Sequence, residues 1–158
     1  MKEMTLESSA FRQNETVPRK HTGDGADKSP PLHWSNVPAG TKEFAMIVDD
    51  PDAPTPKSWV HWVVYRIGAE MTSLPEGVAP SLRVDSPPGI LQGKNSWNKI
   101  GYGGPAPPKG HGLHHYHFKI YALDMQLNLD PGDTKEALLE AISGHILAEG
   151  ELIGTYQR

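Results

Sequence analysis

The sequence predicts a mainly β fold with one peripheral helix near its C-terminus. Three observations carry that expectation. The 158 residues include 16 glycines and 15 prolines, about a fifth of the chain against an average near ~12%, so turns are dense and a helical bundle is excluded. Residues 114–122 place apolar or aromatic side chains on alternate positions, which is strand period. A helical period occurs once, between Asp133 and Ile146. The length suits a single domain spanning residues 1–158. Four Trp, five Tyr and three Phe in patterned runs supply enough apolar surface to anchor a core.

The first forty residues are polar and punctuated by Pro18, Gly23-Asp24-Gly25 and Ser29-Pro30-Pro31, with Leu32-His33-Trp34 as a short strand. Phe44–Val48 is an unbroken apolar run, suited to a strand covered on both faces. It ends in Asp49-Asp50-Pro51-Asp52-Ala53-Pro54, where two prolines stop a sheet ladder. Trp59–Tyr65 is the next strand, apolar almost throughout except at His61. Residues 72–110 are rich in glycine and proline and read as loop, with one short strand around Ile90–Gln92. In the strand Leu113–Leu123 the even positions His114, Tyr116, Phe118, Ile120 and Ala122 form the core face, and His115, His117 and Lys119 face outward. Asp133 is the expected helix cap with Glu136 at N3, and Ala137, Leu138, Ala141, Ile142, His145 and Ile146 recur at helical spacing. Glu151–Tyr156 closes the chain as a last strand. The expected architecture is a single-layered β core with helical decoration.

Acids and bases are interspersed around a net charge of −4, which excludes the basic footprint of a nucleic-acid binder or a polybasic membrane anchor. The absence of cysteine excludes disulfides, thiol catalysis and Cys-ligated zinc. Met1–Glu15 lacks the apolar stretch of a secretory signal. The longest apolar runs are about five residues, against the ~20 that span a bilayer. The chain reads as soluble and cytoplasmic.

Chemistry is concentrated in the acidic turn Asp49–Asp52, in His61, and in the stretch His111–His117. The acidic turn on its own is a turn former. His115 and His117 sit on the outward parity, and His111 lies among glycines in a loop. His114 differs, because its parity places it with Phe118 and Ile120. A buried imidazole left unpaired costs about 1–3 kcal/mol. A carboxylate at the end of an adjacent strand would pair it, so Asp50, Asp52, His61 and His114 are candidates to converge. A two-histidine metal site would need a carboxylate soon after His115-Tyr116-His117, but Phe118-Lys119-Ile120-Tyr121 follows, and no His-Glu-x-x-His pair exists. No serine occupies a Gly-x-Ser-x-Gly elbow. Gly101-Tyr102-Gly103-Gly104-Pro105 lacks the Gly-Lys-Ser/Thr ending of a phosphate loop. No metal or cofactor is expected.

Asp50-Pro51-Asp52-Ala53-Pro54, Trp59-Val60-His61-Trp62 and the block Gly101–Tyr116 resemble the two signature regions of the phosphatidylethanolamine-binding protein family, which includes the Raf kinase inhibitor proteins. Pro18-Arg19-Lys20-His21-Thr22, Ser29-Pro30-Pro31-Leu32 and Gly144–Tyr156 resemble its prokaryotic branch. The resemblance spans essentially the whole chain. It implies a large antiparallel Greek-key sheet, a second small sheet, a peripheral C-terminal helix, and a small anion pocket at one end of the sheet. The family's pocket residues carry over onto Asp50, Asp52, His61, Pro108, His114 and Tyr116, with Trp59 and Ala53-Pro54 shaping the wall. Three departures stand out. Val60 replaces a second histidine of animal members, Gly23 replaces a cysteine of many bacterial ones, and the chain ends at Arg158 without the C-terminal helix that borders the animal pocket.

These features lead to the expectation of an anion receptor in which histidine N–H, tyrosine O–H and loop amides donate to a phosphate, while Asp50 or Asp52 orients an imidazole. The leading functional reading is a non-enzymatic binding module for phosphorylated or otherwise anionic headgroups, with regulation of a protein partner such as a kinase as its extension. The alternatives are a protease inhibitor acting through the loop Gly77–Lys94, and a phosphoester enzyme using His61 or His114 as general base. A cis peptide at Ala53-Pro54 and a homodimer are also expected.

Overall fold

The computed structural model describes residues 2–158. In chain order the strands are β1 (Lys2–Glu3), β2 (Thr5–Glu7), β3 (Leu32–Ser35), β4 (Glu43–Asp50), β5 (Trp59–Gly68), β6 (Ser73–Leu74), β7 (Leu91–Gln92) and β8 (His114–Leu123). Helix α1 (Lys135–Ile142) and strand β9 (Ile146–Tyr156) follow. The large sheet has the order β1-β9-β8-β4-β5-β7, and the small one β2-β3-β6. Within the large sheet β4, β5 and β7 are successive antiparallel neighbours, and β8 returns to lie beside β4. That is the Greek-key order. The sheet is mixed rather than wholly antiparallel, because β1 runs parallel to β9 along its edge.

The buried runs in β4 and β5 have side chains to cover on both faces, and each face has its own cover. Phe44, Met46, Val48, Trp62, Val64, Phe118 and Ile120 pack against Leu6, Leu32, Trp34 and Leu74 of the small sheet. Ala45, Ile47, Val63, Tyr65 and Leu123 pack with Leu138 and Ile142 of α1. The core therefore has two layers, which corrects the single-layered expectation. Gln92 ties the loops to the sheet. Its carbonyl oxygen accepts from the buried Trp62 indole at 2.7 Å, and its amide donates to the carbonyls of Ala79 and Ser81.

Two local expectations shift. The helix cap is Thr134, whose Oγ1 accepts from Ala137 N–H at 3.1 Å, while Asp133 sits one residue earlier and accepts from Thr134 N–H. The helix also stops at Ile142. Gly144 adopts φ +81°, a left-handed turn that suits glycine, and Ile146 pairs with Leu123. Sheet pairing overrides the helical spacing of His145 and Ile146. Ala53-Pro54 is not cis, and the cis peptide among the described residues is Ser86-Pro87. The acidic turn reverses by other means, with Asp50 Oδ1 accepting from Asp52 N–H at 2.8 Å and Ala53 C=O accepting from Thr55 N–H. No helix among the described residues is long and apolar enough to cross a membrane.

Candidate functional site

Antiparallel pairing brings the end of β4 beside the beginnings of β5 and β8. Asp50 lies opposite Trp59, and Asp49 lies opposite Val60 and His117. The even-numbered parity of β8 carries His114 and Tyr116 onto the buried face of Phe118, and both are buried as expected. His61 reaches the same place by a different route. Between Val48–Trp62 and Asp49–Val60 the β4–β5 register slips by one residue, leaving His61 as the extra residue of a bulge. Bulges re-aim side chains. The bulge is locked by Gly103, whose N–H donates to the His61 carbonyl at 2.9 Å and whose carbonyl meets His61 Nδ1 at 2.6 Å. A Cβ at Gly103 would lie 2.5 Å from the Trp97 ring and would displace it.

These elements enclose a cavity of about 170 Å³ lined by Asp50, Ala53, Pro54, Trp59, His61, Pro108, His114 and Tyr116, together with Thr55, Trp97, Ala106 and Pro107. That is well below the ~300–1,000 Å³ of pockets for drug-sized ligands, so a small group is the natural occupant. Of the nine pocket residues that the resemblance implies, only Asp52 does not line it. The Asp52 carboxylate accepts from the backbone N–H and the ring Nδ1 of His115, both at 2.8 Å, in an exposed pair. Partial burial raises its pKa, but the bonds from His115 outweigh this and leave it lowered. His117 pairs outward with Glu151.

Sequence reasoning missed Trp97 and His111. Trp97 packs edge-on against both His61 and Trp59, with ring centroids 5.1 and 5.4 Å apart. It lies in a turn-rich loop with no periodicity to flag it. His111 closes a chain of hydrogen bonds, with His114 Nδ1 2.6 Å from Asp50 Oδ2 and His114 Nε2 2.6 Å from His111 Nδ1. Both nitrogens of His114 are therefore engaged within the protein.

Among the described residues, His61 Nε2 and the Tyr116 hydroxyl have no hydrogen-bond partner, and neither do the indole N–H groups of Trp59 and Trp97, which also line the cavity. Burial lowers the His61 pKa despite the opposing pull of the Gly103 carbonyl and Asp50. Burial and the Asp50 charge push the Tyr116 phenol far up, so it stays protonated. No lysine or arginine lines the cavity, and Asp50 is its one carboxylate.

Comparison with known proteins matches residues 7–157 to the phosphatidylethanolamine-binding protein family model. A UPF0098 protein of Pyrococcus horikoshii is 47% identical over 151 residues, covering 96% of this chain and 75% of the relative. Among solved structures, a phosphatidylethanolamine-binding protein homologue of Chlamydia trachomatis is 40% identical with TM-score 0.88, covering 100% of this chain and 99% of that one. Escherichia coli YbcL, described as a member of the mammalian family, is 36% identical with TM-score 0.91 and 99% coverage of each chain. With its two-sheet fold and with nearly its whole length matched, the chain belongs to the phosphatidylethanolamine-binding protein family.

Proposed function

We propose that this chain is a binding protein whose cavity takes the phosphate group of a small phosphorylated ligand. The observation that carries the reading is a phosphate-sized cavity at the sheet end in which a tyrosine hydroxyl and one imidazole nitrogen are left without protein partners. Asp50, His114 and His111 form the supporting wall, each fixing the next by a hydrogen bond. Trp59, Trp97 and Pro54 complete the lining. Affinity is modest, because few direct contacts have to offset the lost freedom of the ligand.

Catalysis on a phosphoester is the weaker reading. Phosphoryl transfer needs cationic groups on the transferring oxygens, and the cavity wall supplies Asp50 instead. Protease inhibition would place Gly77–Lys94 in an enzyme cleft, and titration against serine proteases separates it from ligand binding.

Thermal shift tests the proposal, with phenyl phosphate compared against benzyl alcohol as a neutral analogue. A ligand at a hundred times its Kd stabilises the native state by about 2.7 kcal/mol. Stabilisation by the phosphate ester alone supports the reading, and equal or absent shifts reject it.

A further inference from the structure

One partner-free atom of the cavity, His61 Nε2, is a poor match for a phosphate dianion. His61 Nδ1 faces a carbonyl oxygen, that of Gly103, which can only accept. The proton of the neutral ring is therefore on Nδ1, and Nε2 presents a lone pair to the cavity. The contact is not incidental, since Gly103 N–H returns a bond to the His61 carbonyl and fixes the pair from both sides. The Tyr116 hydroxyl is the complementary group and can donate. Every oxygen of a phosphate monoester dianion is an acceptor, so one of them would face a lone pair at His61. Its second charge would also lie near the Asp50 carboxylate, with no lysine or arginine in the wall to offset it.

The singly protonated monoester resolves both conflicts. Its P–O–H donates to His61 Nε2, a charged oxygen accepts from Tyr116, and the net charge beside Asp50 is halved. We propose that the cavity selects phosphate monoesters in their monoanionic, singly protonated form, with His61 as the specificity-determining acceptor. This deepens the phosphate-binding reading and rests on it.

The groups around His61 determine whether it stays neutral. From β4, Asp50 and Asp49 favour protonation, as does Asp27 from the N-terminal segment, yet burial outweighs all three. From β8, the Tyr116 ring stands edge-on at 5.1 Å, and the two nitrogens of His114 are turned to Asp50 and His111.

A monoester loses its second proton near pH ~6, whereas a sulfate monoester carries the same single charge and has no proton to give. Phenyl phosphate and phenyl sulfate therefore hold charge and ring constant while removing the donor. Calorimetric titration of the unmodified protein with each, from pH 5.5 to 8, tests the proposal. Phenyl phosphate affinity is expected to fall about tenfold per pH unit above ~6, with uptake of close to one proton per ligand at pH 7.5 in buffers of different ionisation enthalpy. Phenyl sulfate is expected to bind at least ~10-fold more weakly at pH 5.5. His61→Phe should bring the two ligands within about threefold of each other. Equal affinity for the two esters in the unmodified protein, or phenyl phosphate binding that is flat or tighter towards pH 8, overturns the proton selection while leaving the phosphate pocket intact. No binding of phenyl phosphate at any pH overturns both.

Discussion

Two carboxylate–histidine pairs of nearly equal length flank the cavity, and they allow burial to be weighed against geometry. Asp50 Oδ2 lies 2.6 Å from His114 Nδ1, with side chains 4% and 2% exposed. Asp52 Oδ2 lies 2.8 Å from His115 Nδ1, with side chains 41% and 43% exposed. Asp50→Asn keeps the shape of the side chain, so no cavity forms. It exchanges a charged acceptor for a neutral amide that cannot satisfy both His114 and Asp52 N–H equally well. A buried hydrogen bond to a charged group contributes about 1.5–3 kcal/mol, and that is the expected loss. Asp52→Asn disturbs a solvated pair of the kind that contributes about 0–1 kcal/mol. Urea denaturation at pH 7 with linear extrapolation reads both values. In thermal scans each kcal/mol appears as about 2–4 °C for a chain of this size. Equal losses for the two variants would refute the reasoning, because geometry alone would then set the contribution.

The remaining expectations concern the ligand, the bulge, pH and assembly. Tyr116→Phe removes one neutral donor and should weaken phenyl phosphate binding by about 0.5–1.5 kcal/mol, roughly two- to tenfold, while His117→Ala, paired outward with Glu151, should leave the calorimetric Kd unchanged. Gly103→Ala places a methyl group 2.5 Å from the half-exposed Trp97 ring; the ring should swing outward, shifting tryptophan emission to the red at a stability cost of about 1 kcal/mol. The lowered His61 pKa means that the unfolded chain binds a proton below ~6.5 that the native state refuses. Stability should therefore fall as pH drops through that value, at up to about 1.4 kcal/mol per pH unit from this group, and His61→Asn should remove that part of the slope in denaturation series. A homodimer is expected, so light scattering at millimolar concentration should report a species near twice 17.3 kDa, and a species of 17.3 kDa alone would count against it.

Strand parity made the inward setting of His114 and Tyr116 legible, while Trp59, Ala53, Pro54 and Pro108 entered only through the family resemblance. A period of two leaves His114 only one face to occupy once Phe118 and Ile120 are inside, and the antiparallel neighbour brings Asp50 beside it. The unbroken run Phe44–Val48 likewise signalled a strand covered on both faces. The bulge at His61 was not legible, since a one-residue slip in register depends on what the partner strand and Gly103 do, not on local pattern. His111 and Trp97 escaped for a related reason. Their positions are set by loops held in place by distant contacts, and loop residues carry no periodicity. The helix boundary moved because Ile146 fits both a helical stripe and a strand, and pairing with Leu123 decides between them.

The most direct measurement is a crystal structure of the protein soaked with phenyl phosphate at pH 5.5. The expected result is one ligand in the cavity at the end of β4, with phosphate oxygens about 2.6–3.2 Å from His61 Nε2 and from the Tyr116 hydroxyl. A cavity that stays free of the ligand at saturating concentration, or a phosphate held elsewhere on the surface, would contradict the central claim.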